Sequence, residues 1–173
     1  TNIAPINEVL AAGMVLLSGY RGEENFIDPM CGSGTILIEA AMIANNIPAN
    51  INRKRFGFET WKDYDEELYF VIQEALLKKI RSSHFKIMGF DKAPSAIVKA
   101  KANIIEANLD EFIGVHHVNF FNSTKEVFGK TTILFNPPYG ERLNVDTQEF
   151  YKKIGDTLKH NYPDSTAWFI TSD

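Results

Sequence analysis

The sequence predicts an α/β domain: a doubly wound, mostly parallel sheet with helices on both faces. Three observations carry that expectation. Five short apolar runs, NFID, FKIMGFD, GVHHVNF, TTILFN and TAWFITSD, have the length of strands. Segments with apolar residues at helical spacing separate them. Strand and helix in alternation is the pattern of parallel strands joined by helical crossovers.

The elements follow in order. Pro5 opens a first helix with Glu8 in its first turn and Ile6, Val9, Leu10, Gly13 and Leu17 as its stripe. NFID is a short buried strand ending at Pro29. After CGSG, the segment TILIEAAMIANN is nearly all apolar and predicts a buried helix. Residues 46–62 contain Pro, Gly and a basic run and read as a connection. Leu68, Ile72, Ala75, Leu76 and Ile80 predict the next helix. FKIMGFD is a strand, and Pro94 opens a helix with Ile97, Ala100, Ile104 and Ile105 on one face. GVHHVNF and TTILFN are strands, Phe150, Ile154 and Leu158 mark a helix, and TAWFITSD is a last strand.

Composition narrows the class. The chain has 173 residues, 45% hydrophobic, enough for one substantial core and one domain. It opens without Met, which reads as a segment of something longer. No apolar run approaches the length of a membrane span and no leader pattern is present, so a soluble protein is expected. The single cysteine, Cys31, excludes an internal disulfide and suits a reducing, cytoplasmic setting. A net charge of −4 argues against broad electrostatic binding of nucleic acid by this segment alone.

In an open parallel sheet, ligands bind beyond the carboxyl ends of the strands. The residues there are Asp28, Asp91, Asn119 and Asn136. DPMCGSGT joins the first strand to the buried helix. Gly32 and Gly34 let the backbone turn tightly and approach a ligand, and the helix aims its free N–H groups at it. A plain strand–helix turn is the competing reading. Asp91, in GFDKAP, can accept both hydroxyls of a ribose or can cap the helix opened by Pro94. Nucleotide folds place this acid ~20 residues past the glycines. Asp91 lies 57 residues past Gly34, so 46–84 would be an insertion. Asn119 could meet an adenine edge with Phe120 against the ring; a polar strand end beside a core Phe is as good a reading. His116 and His117 point to opposite faces of a strand, and with one cysteine no metal site is expected.

NPPYGERL follows the fourth strand. Pro137 and Pro138 lock the backbone, and Tyr139 presents a flat face. The Asn136 side-chain oxygen and the Pro137 carbonyl can accept the two protons of an exocyclic amine while Tyr139 stacks on its ring. An aromatic amine is a weak nucleophile, and two acceptors favour the positive charge that develops as it attacks. A Pro-rich loop with a surface Tyr is the plain alternative. Arg53, Lys54 and Arg55 read as a solvated run in preference to a phosphate contact. Glu141 and Arg142 could line a base pocket or pair with each other. Cys31 reads as a small packed residue and not a nucleophile.

The glycine turn, the acid and the Asn-Pro-Pro-Tyr turn together resemble class I S-adenosylmethionine-dependent methyltransferases acting on amino groups. The stretches APINEVLAAGMVLLSG, FIDPMCGSGTILIEAAMIANNIPANINRKRFGFETW and NPPYGERL narrow the resemblance to the bacterial 23S rRNA guanine-N2 methyltransferases, which are often labelled N6-adenine-specific DNA methylases. The resemblance implies a Rossmann-like fold and S-adenosyl-L-methionine as cofactor. It puts Asp28, Gly32 and Gly34 at the methionine end, with Pro29 and Cys31 in the same turn. It makes Asp91 the ribose ligand, Asn119 and Phe120 the adenine contacts, and Asn136, Pro137 and Tyr139 the catalytic turn. Such enzymes usually carry Asp where this chain has Asn119. It further implies that 1–173 is a partial methyltransferase domain. An RNA-binding THUMP domain would precede it, two more strands would follow Asp173, and 23S rRNA would be the partner. N6-adenine methylation of DNA and glutamine methylation of protein remain alternatives, because both pose the same problem of an amine or amide nitrogen.

Overall fold

The computed structural model describes residues 6–138 and 146–171. Its strands are β1 (Asn25–Asp28), β2 (Ile87–Asp91), β3 (Ile113–His117), β4 (Thr131–Phe135) and β5 (Ser165–Phe169). They form one five-stranded sheet in the order β3-β2-β1-β4-β5, and every pairing is parallel. α1 (Glu8–Leu17) precedes β1, α2 (Thr35–Ala44) and α3 (Glu66–Leu77) lie between β1 and β2, α4 (Pro94–Glu106) between β2 and β3, and α5 (Thr147–Asn161) between β4 and β5.

The helix starts follow local chemistry. Asn7 caps α1 by accepting from the Val9 and Leu10 amides, Asp65 caps α3 through Leu68, and Asp146 caps α5 through Glu149. Proline stands in the first turn of α4, where its missing N–H costs nothing.

Successive side chains of a strand point to opposite faces, so β1 feeds two cores. Phe26 faces the first, with Ile87, Val115, Leu37 of α2, and Ile97 and Ile104 of α4. Ile27 faces the second, with Ile133, Phe135, Phe120, Ile154 of α5 and Tyr162. α1 lies outside α2 and reaches the first core through Ala11 and Val15. α2 sits close on the sheet because β2 carries Gly89. A Cβ there would stand 2.3 Å from Leu37 Cδ1 and 3.1 Å from Cys31 Sγ.

Four details differ from the sequence reading, each for a physical reason. α1 is apolar on every side, so spacing cannot choose its inner face. Ala11 and Val15 are buried, while Val9 and Leu17 are 80% and 82% exposed. On α4, Ile104 is buried and the adjacent Ile105 turns outward. β3 stops at His117, and Asn119 instead opens a short 3₁₀ turn, Phe120–Asn122, accepting from the Phe121 amide. The stripe of α3 is outward as well: no residue of that helix is buried.

Candidate active site

The sheet changes direction at β1, whose neighbours are β2 on one side and β4 on the other. At such a switch point the loops leaving the carboxyl ends diverge and open a crevice. Asp28 ends β1, Asp91 ends β2, and Asn136 directly follows β4. Three of the polar strand-end residues therefore share one edge of the sheet, and Asn119 stands in the loop beyond β3.

The glycine turn is tied down from several directions. The Cys31 amide donates to the Phe90 carbonyl at 2.9 Å, and the Gly34 amide donates to the Cys31 carbonyl at 2.8 Å. The Gly32 amide donates to Asp91 Oδ2 at 3.0 Å. Asn103 of α4 donates its Nδ2 to the Ser33 carbonyl at 2.9 Å. Gly32 and Gly34 have φ of 54° and 83°, the left-handed region that glycine tolerates. They differ in surroundings. A Cβ on Gly34 would stand 3.3 Å from Ala100 Cβ, whereas one on Gly32 would meet nothing within 4 Å. Gly34 thus serves packing, and Gly32 leaves an open approach to the backbone. No side chain caps α2, whose N-terminus begins here. Its first amides are the kind of donors that hold an anionic group.

Asp91 has both carboxylate oxygens engaged: Oδ1 accepts from the Ala93 amide at 2.8 Å and Oδ2 from Gly32. Each oxygen keeps a second lone pair for a further donor. Asp28 is 1% exposed and accepts from the Met30 amide at 3.1 Å. Burial pushes its carboxyl from 3.8 up to about 8; the Met30 N–H works against that rise and the Asp91 charge adds to it. Pro29 is buried beside it. Burial, then Asp28 and Asp91, raise the Cys31 thiol, so the group stays protonated and packed.

Of the described side chains, two buried polar atoms have no hydrogen-bond partner. One is the Tyr20 hydroxyl inside the first core; the other is Asn136 Oδ1 at the strand ends. A buried acceptor left unpaired costs about 1–3 kcal/mol. At a strand end, such an atom can accept a hydrogen bond from a donor outside the chain. Pro137, next to it, is buried. Tyr139, Glu141 and Arg142 lie outside the described residues.

The loop beyond β3 differs from the expected adenine wall. Phe120 is 2% exposed, and its ring lies 5.9 Å from that of Phe135 and 5.5 Å from that of Tyr162. Its face belongs to the second core. Asn119 is exposed, and its Oδ1 accepts from the Phe121 amide at 3.1 Å. His117 Nε2 lies 3.0 Å from the Lys92 carbonyl, and the His116 ring lies near Phe90. Among the described residues no group of His, Cys, Asp and Glu could hold a metal ion. In the basic run, Arg53 Nε donates to the Arg55 carbonyl, and its guanidinium lies 5.3 Å from the Phe56 ring centre. Asn103 was not legible as a site residue: it is an ordinary exposed helix position until the fold brings it to Ser33.

Comparison with known proteins adds an independent line. The family model for the RMKL-like methyltransferase domain matches residues 1–173. The ribosomal RNA large subunit methyltransferase K/L of Buchnera aphidicola subsp. Schizaphis graminum is 39% identical over 159 residues, covering 84% of this chain and 22% of that protein. A crystal structure of SMU.472 complexed with SAH superposes with a TM-score of 0.88 at 32% identity, over 99% of this chain and 46% of that one. A structure described as a predicted N6-adenine-specific DNA methylase from Listeria monocytogenes str. 4b F2365 gives 0.86 at 32% identity, over 99% and 45%. This chain spans about a quarter of the length of the curated relatives it matches.

Proposed function

The chain belongs to the RMKL-like methyltransferase domain family, and from that premise we propose that it transfers a methyl group from S-adenosyl-L-methionine to an exocyclic base amine, guanine N2 of 23S rRNA. The observation that carries the reading is the buried, unpaired Oδ1 of Asn136 at the carboxyl end of β4. An N–H donor is what that atom lacks, and an exocyclic amine offers two.

The residues of the glycine turn suit the cofactor. Gly32 leaves its backbone open on one side, and the uncapped start of α2 offers donors to a carboxylate. Asp28, beside them, suits the ammonium group of the same methionine moiety. Asp91 has lone pairs left for ribose hydroxyls while holding Gly32. Asn119 suits the adenine edge; the Phe120 ring, being in the core, would contribute packing behind it and not a stacking face. Pro29 and Cys31 shape the turn. No metal enters the proposal.

When bound, the cofactor would supply an electrophilic methyl group on a sulfonium centre, its carbon–sulfur bond breaking to leave a neutral thioether as the carbon–nitrogen bond forms. The chain's part is to hold the amine in line with it. Asn136 Oδ1 and the Pro137 carbonyl would accept the two amine protons, and Tyr139 would stack on the ring. As nitrogen gains carbon it gains positive charge, which both oxygens favour. The extra proton then becomes acidic and leaves to water, so no strong base is required.

The relative named above is an rRNA large subunit methyltransferase, which supports rRNA over other amine substrates. The net charge of −4 fits a catalytic unit whose grip on RNA comes from elsewhere in the full-length protein, as a preceding THUMP domain would provide. In this reading 1–173 is one methyltransferase domain, 46–84 is an insertion between the glycine turn and β2, and the enzyme works in the cytoplasm. The test is to offer the full-length protein labelled S-adenosylmethionine with unmodified 23S rRNA, duplex DNA or a glutamine-containing release-factor peptide. Label in N2-methylguanosine is expected. Label confined to N6-methyladenine or to peptide would replace the substrate while keeping the chemistry.

A further inference from the structure

α3 carries an apolar surface that no described residue covers. Leu68, Val71, Ile72 and Leu76 are 54%, 65%, 49% and 42% exposed, and Ala75 lies exposed among them. At 100° per residue these five occupy one continuous arc of the helix. Tyr69, away from that arc, anchors the helix through contacts with Phe56, Phe58 and Tyr64. A helix that pays the entropy of forming while leaving its stripe in water lacks its usual source of stability, which is the burial of that stripe.

We infer that α3 pairs antiparallel with α3 of a second copy of this chain. The charges at its ends argue for that occupant. Glu66 and Glu67 stand in the first turn, Lys78 caps the last and Lys79 follows. An antiparallel pair centred between Ile72 and Gln73 sets Glu67 level with the second copy's Lys78, and Glu66 level with its Lys79. A parallel pair would oppose like charges. Glu67 and Lys78 also flank the same side of the stripe, so a two-fold axis brings them together twice. Lys78 already lies 3.6 Å from Glu74 on its own helix, with both side chains exposed and free to share.

The size of the surface sets the strength. α3 has 12 residues, so it is about 18 Å long at 1.5 Å per residue. One helix face of that length falls short of the ~800 Å² per partner of a standard stable interface. The pairing is therefore a reversible dimer with a dissociation constant in the micromolar range, independent of the methyl-transfer reading.

Sedimentation equilibrium on the 173-residue chain and on the full-length protein, from about 1 to 100 µM, tests it. A monomer–dimer equilibrium is expected. Ile72→Glu should abolish it without unfolding the chain, since no α3 residue is buried. Glu67→Lys and Lys78→Glu should each weaken it several-fold, and the double reversal should recover it, because each charge then meets its opposite again. A monomer at every concentration, association that Ile72→Glu leaves intact, or a double reversal no better than the single ones would overturn the inference. So would a monomeric full-length protein whose α3 amides are protected from hydrogen exchange, since the stripe would then be covered from within.

Discussion

The carboxylate of Asp91, at the end of β2, accepts a hydrogen bond from the backbone N–H of Gly32, at 3.0 Å. One side chain therefore does two things in the proposed site: it orients the glycine turn and presents lone pairs beside it. This coupling makes its removal more costly than the loss of a single ligand contact.

A charge-assisted hydrogen bond contributes about 1.5–3 kcal/mol. Asp91→Ala should weaken S-adenosylmethionine binding by roughly ten- to several-hundred-fold, measured by calorimetry. Asp91→Asn, which keeps an oxygen for Gly32, should lose less. Equal affinity in a folded Asp91→Ala protein would move the ribose elsewhere.

Glycines at two places should answer oppositely to alanine. Gly89→Ala drives a methyl into Leu37 Cδ1 and Cys31 Sγ, an overpacking that costs about 1–3 kcal/mol. Gly155, exposed within α5, has nothing within 4 Å of its added Cβ. Gly155→Ala should stabilise by about 0.5–1 kcal/mol through the lower entropy of the unfolded chain. Thermal melts of the two variants should move in opposite directions.

Asp28 gives a pH dependence with a definite sign. Its folded-state carboxyl holds a proton up to about pH 8, against 3.8 as its usual value. Between those limits the folded form binds the extra proton, so raising the pH removes stability. Relative to Asp28→Asn, the parent protein should lose stability from about pH 4 to pH 8 and level off beyond. Denaturant titrations across that range measure it, and a parent that gains on the variant with rising pH would contradict the assignment of Asp28 as a neutral buried acid. Because a bound ammonium group favours the ionised form, saturating S-adenosylmethionine should shift the midpoint down.

The strand-end positions of the candidate residues were legible in the sequence because they are local. Asp28, the CGSG turn and Asn136 each follow directly on an apolar run, and period and punctuation locate them. Asp91 looked misplaced, 57 residues past Gly34, yet the fold returns it to Gly32; sequence spacing measures the path and not the distance. What depended on packing was not legible. Phe120 is claimed by Phe135 and Tyr162, which come from β4 and the end of α5. Asn103 meets Ser33 only once α4 lies beside α2. The outward faces of α1 and α3 are patterned like inner ones, and periodicity marks a helix's apolar side without saying what lies against it.

In the proposed reaction the unpaired oxygen of Asn136 receives the substrate amine and acts on the charge that develops there. The direct measurement is single-turnover methyl transfer by Asn136→Ala in the full-length protein, set beside its S-adenosylmethionine affinity. Affinity should be nearly unchanged and the rate lower by about 10²–10³, the scale for losing one preorganised polar contact to developing charge. A full rate in a folded Asn136→Ala enzyme would contradict it.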